Sequence, residues 1–189
     1  MIDINKTFVT SDHHFREWTR FYGLLCENSK EQEEEHIAKW NSVVGKDDLV
    51  LYVGDFCDGR IADLDEICKR LNGRIVLIKG NHEWLDDSIY RMAFADVVES
   101  MYIDELKLVL VHIPETASLR PGERMIYGHH HRGRVEPPST TRDSICVCAK
   151  WHEWKPITLA EAIRQMNAAA APRTSCIAPL LRTHETPSV

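Results

Sequence analysis

Five short polar clusters carry the residue types that bind metal ions or move protons. They are Ser11-Asp12-His13-His14, Gly54-Asp55-Phe56-Cys57-Asp58, Lys79-Gly80-Asn81-His82-Glu83, the single His112, and Gly128-His129-His130-His131. Carboxylate, imidazole and amide oxygen, with no thiolate required, suit divalent ions such as manganese, iron or zinc. The donors are too many for one ion with an open position. Two ions roughly 3.5–4 Å apart, sharing a carboxylate and a water, fit the inventory better. Ten histidines in 189 residues is the compositional anomaly behind this pattern.

Each cluster follows an apolar run. The runs are Thr7-Phe8-Val9-Thr10, Leu49-Val50-Leu51-Tyr52-Val53, Ile75-Val76-Leu77-Ile78, Leu108-Val109-Leu110-Val111 and Met125-Ile126-Tyr127. Rich in Val, Ile and Leu without clean alternation, they predict strands buried on both faces. Helices are expected between them. Ser29 caps a segment from Lys30 to Val43, with Ile37, Trp40, Val43 and Val44 inward and a solvated Glu31–Glu35 face. A second runs from Ala62 to Leu71, ending at Asn72-Gly73. A strand Ile145–Cys148 and a helix from about Thr158 to Met166 complete the series. Strands alternating with helices predict an α/β layered domain, in which ligands sit beyond the carboxyl ends of the strands. Five strand ends then converge on one crevice.

Composition bounds the rest. At 43% hydrophobic and 28% charged, the chain reads as one globular domain over residues 1–167, followed by a mobile tail over 168–189 rich in Ala, Pro, Thr and Ser. No run nears the ~18–20 apolar residues of a membrane span, so no membrane partner is expected. Met1–Lys6 has neither a basic nor an apolar leader region, and the six cysteines follow no framework spacing. Both features predict a reduced, cytoplasmic protein. A net charge of −6 argues against nonspecific coating of nucleic acid.

The ordered set Asp12-x-His14, Gly54-Asp55-x-x-Asp58, Gly80-Asn81-His82-Glu83, His112 and Gly128-His129-x-His131 resembles the five motifs of the calcineurin-like metallophosphoesterases, closest to their compact bacterial and bacteriophage-type members. The resemblance spans roughly Thr7 to Met166. It implies a four-layer α-β-β-α sandwich and a di-metal hydrolase of phosphomonoesters or phosphodiesters. In that pattern Asp12, His14 and His131 hold one ion. Asn81, His112 and His129 hold the other, and Asp55 bridges them. The implied cations are two divalent ions, manganese first, with iron, zinc, nickel or cobalt as substitutes. The implied reaction is in-line attack on phosphorus by a hydroxide bridging the metals, with His82 protonating the leaving group and Asp58 orienting His82. Two dications outweigh two aspartates and one hydroxide, so an acidic protein still offers phosphate a positive hole. The expected partner is a small phosphate ester, a nucleotide or a nucleic-acid end.

Two departures from the family pattern concern arginines. Arg60 is one position beyond the place where phosphoprotein-acting members carry a phosphate-gripping Arg. Arg16-Glu17 stands where compact members often have Gly-His. Arg60 and Arg16 are the candidate substrate-binding residues. His13 and His130 are expected to point away from the metals, Cys57 and Cys146-x-Cys148 to pack, and Trp151 and Trp154 to anchor the last helix. Trp18, Phe21 and Tyr22 could stack a nucleobase or fold their loop onto the domain. A rival reading is a catalytically silent scaffold acting through protein contacts. Retention of His82 and of all seven candidate ligands speaks against it.

Overall fold

The computed structural model of the chain describes residues 2–17, 30–58 and 60–170. The strands are β1 (Thr7–Thr10), β2 (Leu49–Val53), β3 (Arg74–Ile78), β4 (Asp96–Val98), β5 (Met101–Ile103), β6 (Leu108–Val111), β7 (Arg124–Tyr127), β8 (Ser144–Cys146) and β9 (Ile157–Thr158). The helices are α1 (Lys30–Asn41), α2 (Ile61–Arg70), the single turn α3 (Asp87–Tyr90) and α4 (Leu159–Ala170). One sheet has the order β4-β3-β2-β1-β9 and the other β5-β6-β7-β8. The strands β1 to β4 run parallel, as do β6 to β8, and β9 and β5, each at one edge of its sheet, are antiparallel to their neighbours.

Alternation along the inner strands divides the core in two. Phe8, Val50, Tyr52, Ile75 and Leu77 face α1 and α2, where they meet Ile37, Trp40, Leu64 and Ile67. Val9, Leu51, Val53, Val76 and Ile78 face the second sheet and pack on Leu108, Leu110, Ile126 and Ile145. Apolar side chains therefore occupy both faces of these strands, which is why they show no polar alternation. α4 adds Leu159, Ala162 and Met166 to the layer between the sheets. The result is the expected α/β arrangement of two sheets flanked by helices.

Several local expectations change. α1 stops at Asn41, and Val43 is exposed. Glu33, placed on a solvated face, is buried because its carboxylate takes the Arg16 side chain and backbone N–H. α4 continues to Ala170, three residues into the segment assigned to the tail. Trp154 stacks on His36 with ring centroids 3.7 Å apart, and Trp151 Nε1 donates to His130 O at 2.9 Å. Trp154 thus reaches α1, and Trp151 the loop after β7. Cys146 and Cys148 are buried with Sγ atoms 3.2 Å apart as free thiols, packed near Tyr127 and Trp151. Trp18, Phe21 and Tyr22, and residues 171–189 of the tail, lie outside the described residues.

Candidate metal centre

The loops leaving β1, β2, β3, β6 and β7 are stitched to one another at the carboxyl edge of both sheets. Asp12 N–H donates to Gly54 O at 3.0 Å, His14 N–H to Asp55 O at 3.2 Å, and Gly128 N–H to His112 O at 3.1 Å. The turns are sharp. Asp12, His14, Asp55 and His129 all have positive φ, from 46° to 68°. Non-glycine residues in that region cost of order 1–3 kcal/mol each and cluster where a site needs them. Glycine is required at two close approaches. A Cβ on Gly54, whose φ is +83°, would lie 2.4 Å from His112 Nδ1, and one on Gly80 would lie 2.3 Å from Asp55 Oδ1.

Three overlapping donor groups result: Asp12 with His14 and His131, His14 with Asp55 and His82, and Asp55 with His112 and His129. Within each, the ligand atoms all lie within 4.8 Å of one another. His131 Nε2 is 3.4 Å from Asp12 Oδ1 and 3.1 Å from His14 Nε2. Asp55 Oδ2 lies 3.2 Å from His112 Nε2, 3.7 Å from His14 Nε2 and 3.9 Å from His82 Nε2. Asn81 lines the cleft beside Asp55, His82 and His129. All seven sequence-predicted ligands thus gather at one edge, with Asp55 shared between groups.

The donor chemistry fits divalent cations. His112 Nδ1–H donates to Val53 O at 2.8 Å, which aims Nε2 at the cluster. Nε2 is buried and makes no hydrogen bond. A buried, unsatisfied imidazole nitrogen held by a carbonyl on its far side is the arrangement of a metal ligand. The charges agree. Burial lowers the pKa of His112, yet Asp55 and Asp12 outweigh it and raise it to about 9. Burial raises Asp55, while His112, His14 and His82 hold it down at about 2. A cation entering here would displace the proton of His112, in a site whose carboxylates already favour positive charge.

Asp58 serves two rings. Its Oδ1 lies 2.5 Å from His82 Nδ1 and its Oδ2 lies 2.7 Å from His14 Nδ1. Against burial, these histidines keep its carboxyl below the usual range. Glu83 was noticed only as part of a motif, yet it is the staple of the centre. Its buried carboxylate accepts from the N–H groups of Asp55 at 2.9 Å, Phe56 at 2.8 Å and Gly80 at 2.7 Å. Burial, with Asp55 nearby, pushes its pKa up.

The two arginines expected to bind substrate are drawn elsewhere. Arg16 Nη2 lies 2.7 Å from Glu66 and its Nε lies 3.3 Å from Glu33, so α1 and α2 claim its guanidinium. Arg60 is exposed and pairs with Asp63 at 3.2 Å, where it caps the start of α2. The cleft is instead lined by Arg132 and Arg134, just past the last histidine cluster. Their proximity to His131 in sequence was the available signal. His13 is fully buried, stacked on Phe15 and bonded to the Tyr52 hydroxyl at 3.0 Å, and His130 lies at the rim 3.0 Å from Glu115.

The family model described as calcineurin-like phosphoesterase matches residues 6–154. The chain belongs to that family. An uncharacterized protein of Methanocaldococcus jannaschii, MJ1445, is 26% identical over 181 residues, covering 92% of this chain and 98% of its own. The crystal structure of a protein of unknown function from Aquifex aeolicus, AQ665, superposes with a TM-score of 0.63 at 20% identity, covering 84% of this chain and 97% of that one. That likeness shows the fold. Family membership and the clustered His and Asp residues together point to a metal-dependent phosphoester hydrolase. Among the described residues, no helix is long and apolar enough to cross a membrane.

Proposed function

We propose that the protein hydrolyses a small phosphate ester, a nucleotide or a nucleic-acid end, with two divalent cations, manganese first among them. The single observation that carries this reading is Asp55, whose carboxylate is shared between donor groups while His82 faces it from the cleft. Asp12, His14 and His131 would hold one cation, Asn81, His112 and His129 the other, and Asp55 both. Bound there, the cations supply Lewis acidity, polarising water and the phosphoryl oxygens.

The protein's own groups do the rest. Asp58 holds His82 Nδ1, which fixes the ring and leaves Nε2 to deliver a proton to the ester oxygen as its bond to phosphorus breaks. Asp58 also holds His14, so one carboxylate sets the proton donor and a ligand in register. The cleft, of about 460 Å³, supports a ligand of nucleotide size. Four free thiols among the described residues accord with a cytoplasmic setting.

The test is turnover of bis-para-nitrophenyl phosphate and para-nitrophenyl phosphate by manganese-loaded protein. His82→Ala should slow esters with poor leaving groups by roughly 10²–10⁴-fold, and activated nitrophenyl esters much less. Equal slowing of both refutes the proton-donor role. Bound metal with no turnover of any ester refutes the reading as a whole.

A further inference from the structure

The cleft beside His82 carries charged side chains that the proposed reaction leaves unused. Glu115, Arg132 and Arg134 line it together with Asp55, Asn81 and His82. Of these three charged side chains, Glu115 and Arg132 each have a partner and Arg134 does not. Glu115 Oε1 is taken by His130 Nε2 at 3.0 Å. Arg132 Nη2 is taken by the buried Glu17 Oε1 at 2.5 Å. Between the arginines, Gly133 turns the chain with φ at +66°. Arg134 lines the cleft with no hydrogen-bond or ion-pair partner among the described residues.

We propose that Arg134 binds a second phosphoryl group of the substrate. The preferred substrates are then phosphate esters that carry two phosphates, one at the Asp55–His82 end of the cleft and one at Arg134. This rests on the phosphoesterase reading and names its substrate class more narrowly. A guanidinium presents its N–H groups as a planar fork that matches two phosphate oxygens at once, which suits it to this task better than a lysine. In a chain of net charge −6, an unpaired cation lining this cleft offers an anion a local positive partner. One phosphoryl group fills only a small part of about 460 Å³, so the reacting phosphate leaves room in the same cleft for the rest of such a ligand.

The test is equilibrium binding to the manganese-loaded full chain, with three probes. Adenosine monophosphate carries one phosphate, adenosine diphosphate carries two joined by an anhydride, and an adenosine bisphosphate carries them on opposite sides of the sugar. The wild-type protein should bind at least one two-phosphate probe about 10- to 100-fold more tightly than the monophosphate, as expected for hydrogen bonds to a charged group. Arg134→Ala should bring that ratio close to one, and Arg134→Lys should restore part of it. A gain for the diphosphate alone or the bisphosphate alone supports the proposal and identifies the phosphate spacing. Equal affinity for all three probes in the wild type, or an unchanged ratio in Arg134→Ala, overturns it. Hydrolysis of bis-para-nitrophenyl phosphate and of para-nitrophenyl phosphate, each with one phosphorus, is followed in parallel. Absence of both activities sinks the phosphoesterase reading and leaves the affinity ratio to decide on Arg134, whereas an unchanged ratio with hydrolysis intact sinks only the Arg134 assignment.

Discussion

Stripped of metal by a chelator, this protein should lose stability as the pH rises from 6.5 to 9. The cause is His112, whose Nε2 lies 3.2 Å from Asp55 Oδ2 and whose folded pKa is raised to about 9 by Asp55 and Asp12 against the opposing effect of burial. Between pH 6.5 and 9 the folded protein holds a proton that the unfolded chain releases. Stability therefore falls with pH across that window and is fully present below it. A pKa moved from 6.5 to about 9 is worth ~3 kcal/mol at about 1.4 kcal/mol per pKa unit. For a chain of this size that corresponds to a fall in Tm of roughly 6–12 °C. The depressed pKa of Asp55 is the other side of the same ion pair and is counted once. His14, also raised because Asp58, Asp55 and Asp12 outweigh its burial, changes stability in the same direction. The assay is thermal melting by circular dichroism in excess chelator at pH steps through the window, for the wild type and for His112→Gln. Manganese should remove the slope and release protons on binding, because the cation takes Nε2 in place of hydrogen. A chelated wild type whose Tm stays flat or rises over this range refutes the argument, as does a His112→Gln variant that keeps the full slope.

Three further outcomes are expected. Asp58→Asn should lower both manganese affinity and kcat by roughly 10–100-fold, since its carboxylate holds His14 and His82 together. Metal titration with affinity unchanged would remove the His14 half of that role. Gly80→Ala should weaken manganese binding at least tenfold with the far-ultraviolet spectrum retained, because the new Cβ meets Asp55 Oδ1 at 2.3 Å and displaces the shared carboxylate. Wild-type metal content would refute that. On the acid side, burial and the nearby Lys39 lower His36 to about 4, so stability is present above 6.5 and lost as pH falls toward 4. His36→Phe keeps the stack on Trp154 and should make the acid fall in Tm shallower by several degrees. An identical acid limb would show that His36 does not drive it.

The strands that position the centre were legible because burial on both faces leaves a plain signal. The Val, Ile and Leu runs recur as β1, β2, β3, β6 and β7, and the residues just after each run form the donor groups. The short strands β4, β5 and β9 have two or three residues each, too few to display a period. The arginines show a different limit. Arg16 and Arg60 were assigned by analogy of position, but a long cation goes to the carboxylate that folding brings near. For Arg16 the partners Glu33 and Glu66 are 17 and 50 residues away. Nothing in the local spacing distinguishes Glu33 from the exposed glutamates around it. Glu83 was hidden differently, since its role lies in three backbone N–H groups from two separate loops.

Those N–H groups explain what holds so strained an edge together. Four of the seven candidate ligands hold a left-handed backbone that costs of order 1–3 kcal/mol apiece. The like charges of Asp12, Asp55, Asp58 and Glu83 crowd beside them. Hydrogen bonds in the strand-end loops supply the opposing force. Glu83 fastens the second loop to the third, and Asp12 accepts the His129 N–H at 3.0 and 3.1 Å to fasten the first to the fifth. In the metal-free state, protons on His112 and His14 neutralise part of the acidic cluster. Cations and protons are therefore alternative occupants of one prepared electrostatic site. Backbone contacts hold the side chains of the centre in order, so removing Glu83 should lower metal affinity more than removing any single proton carrier.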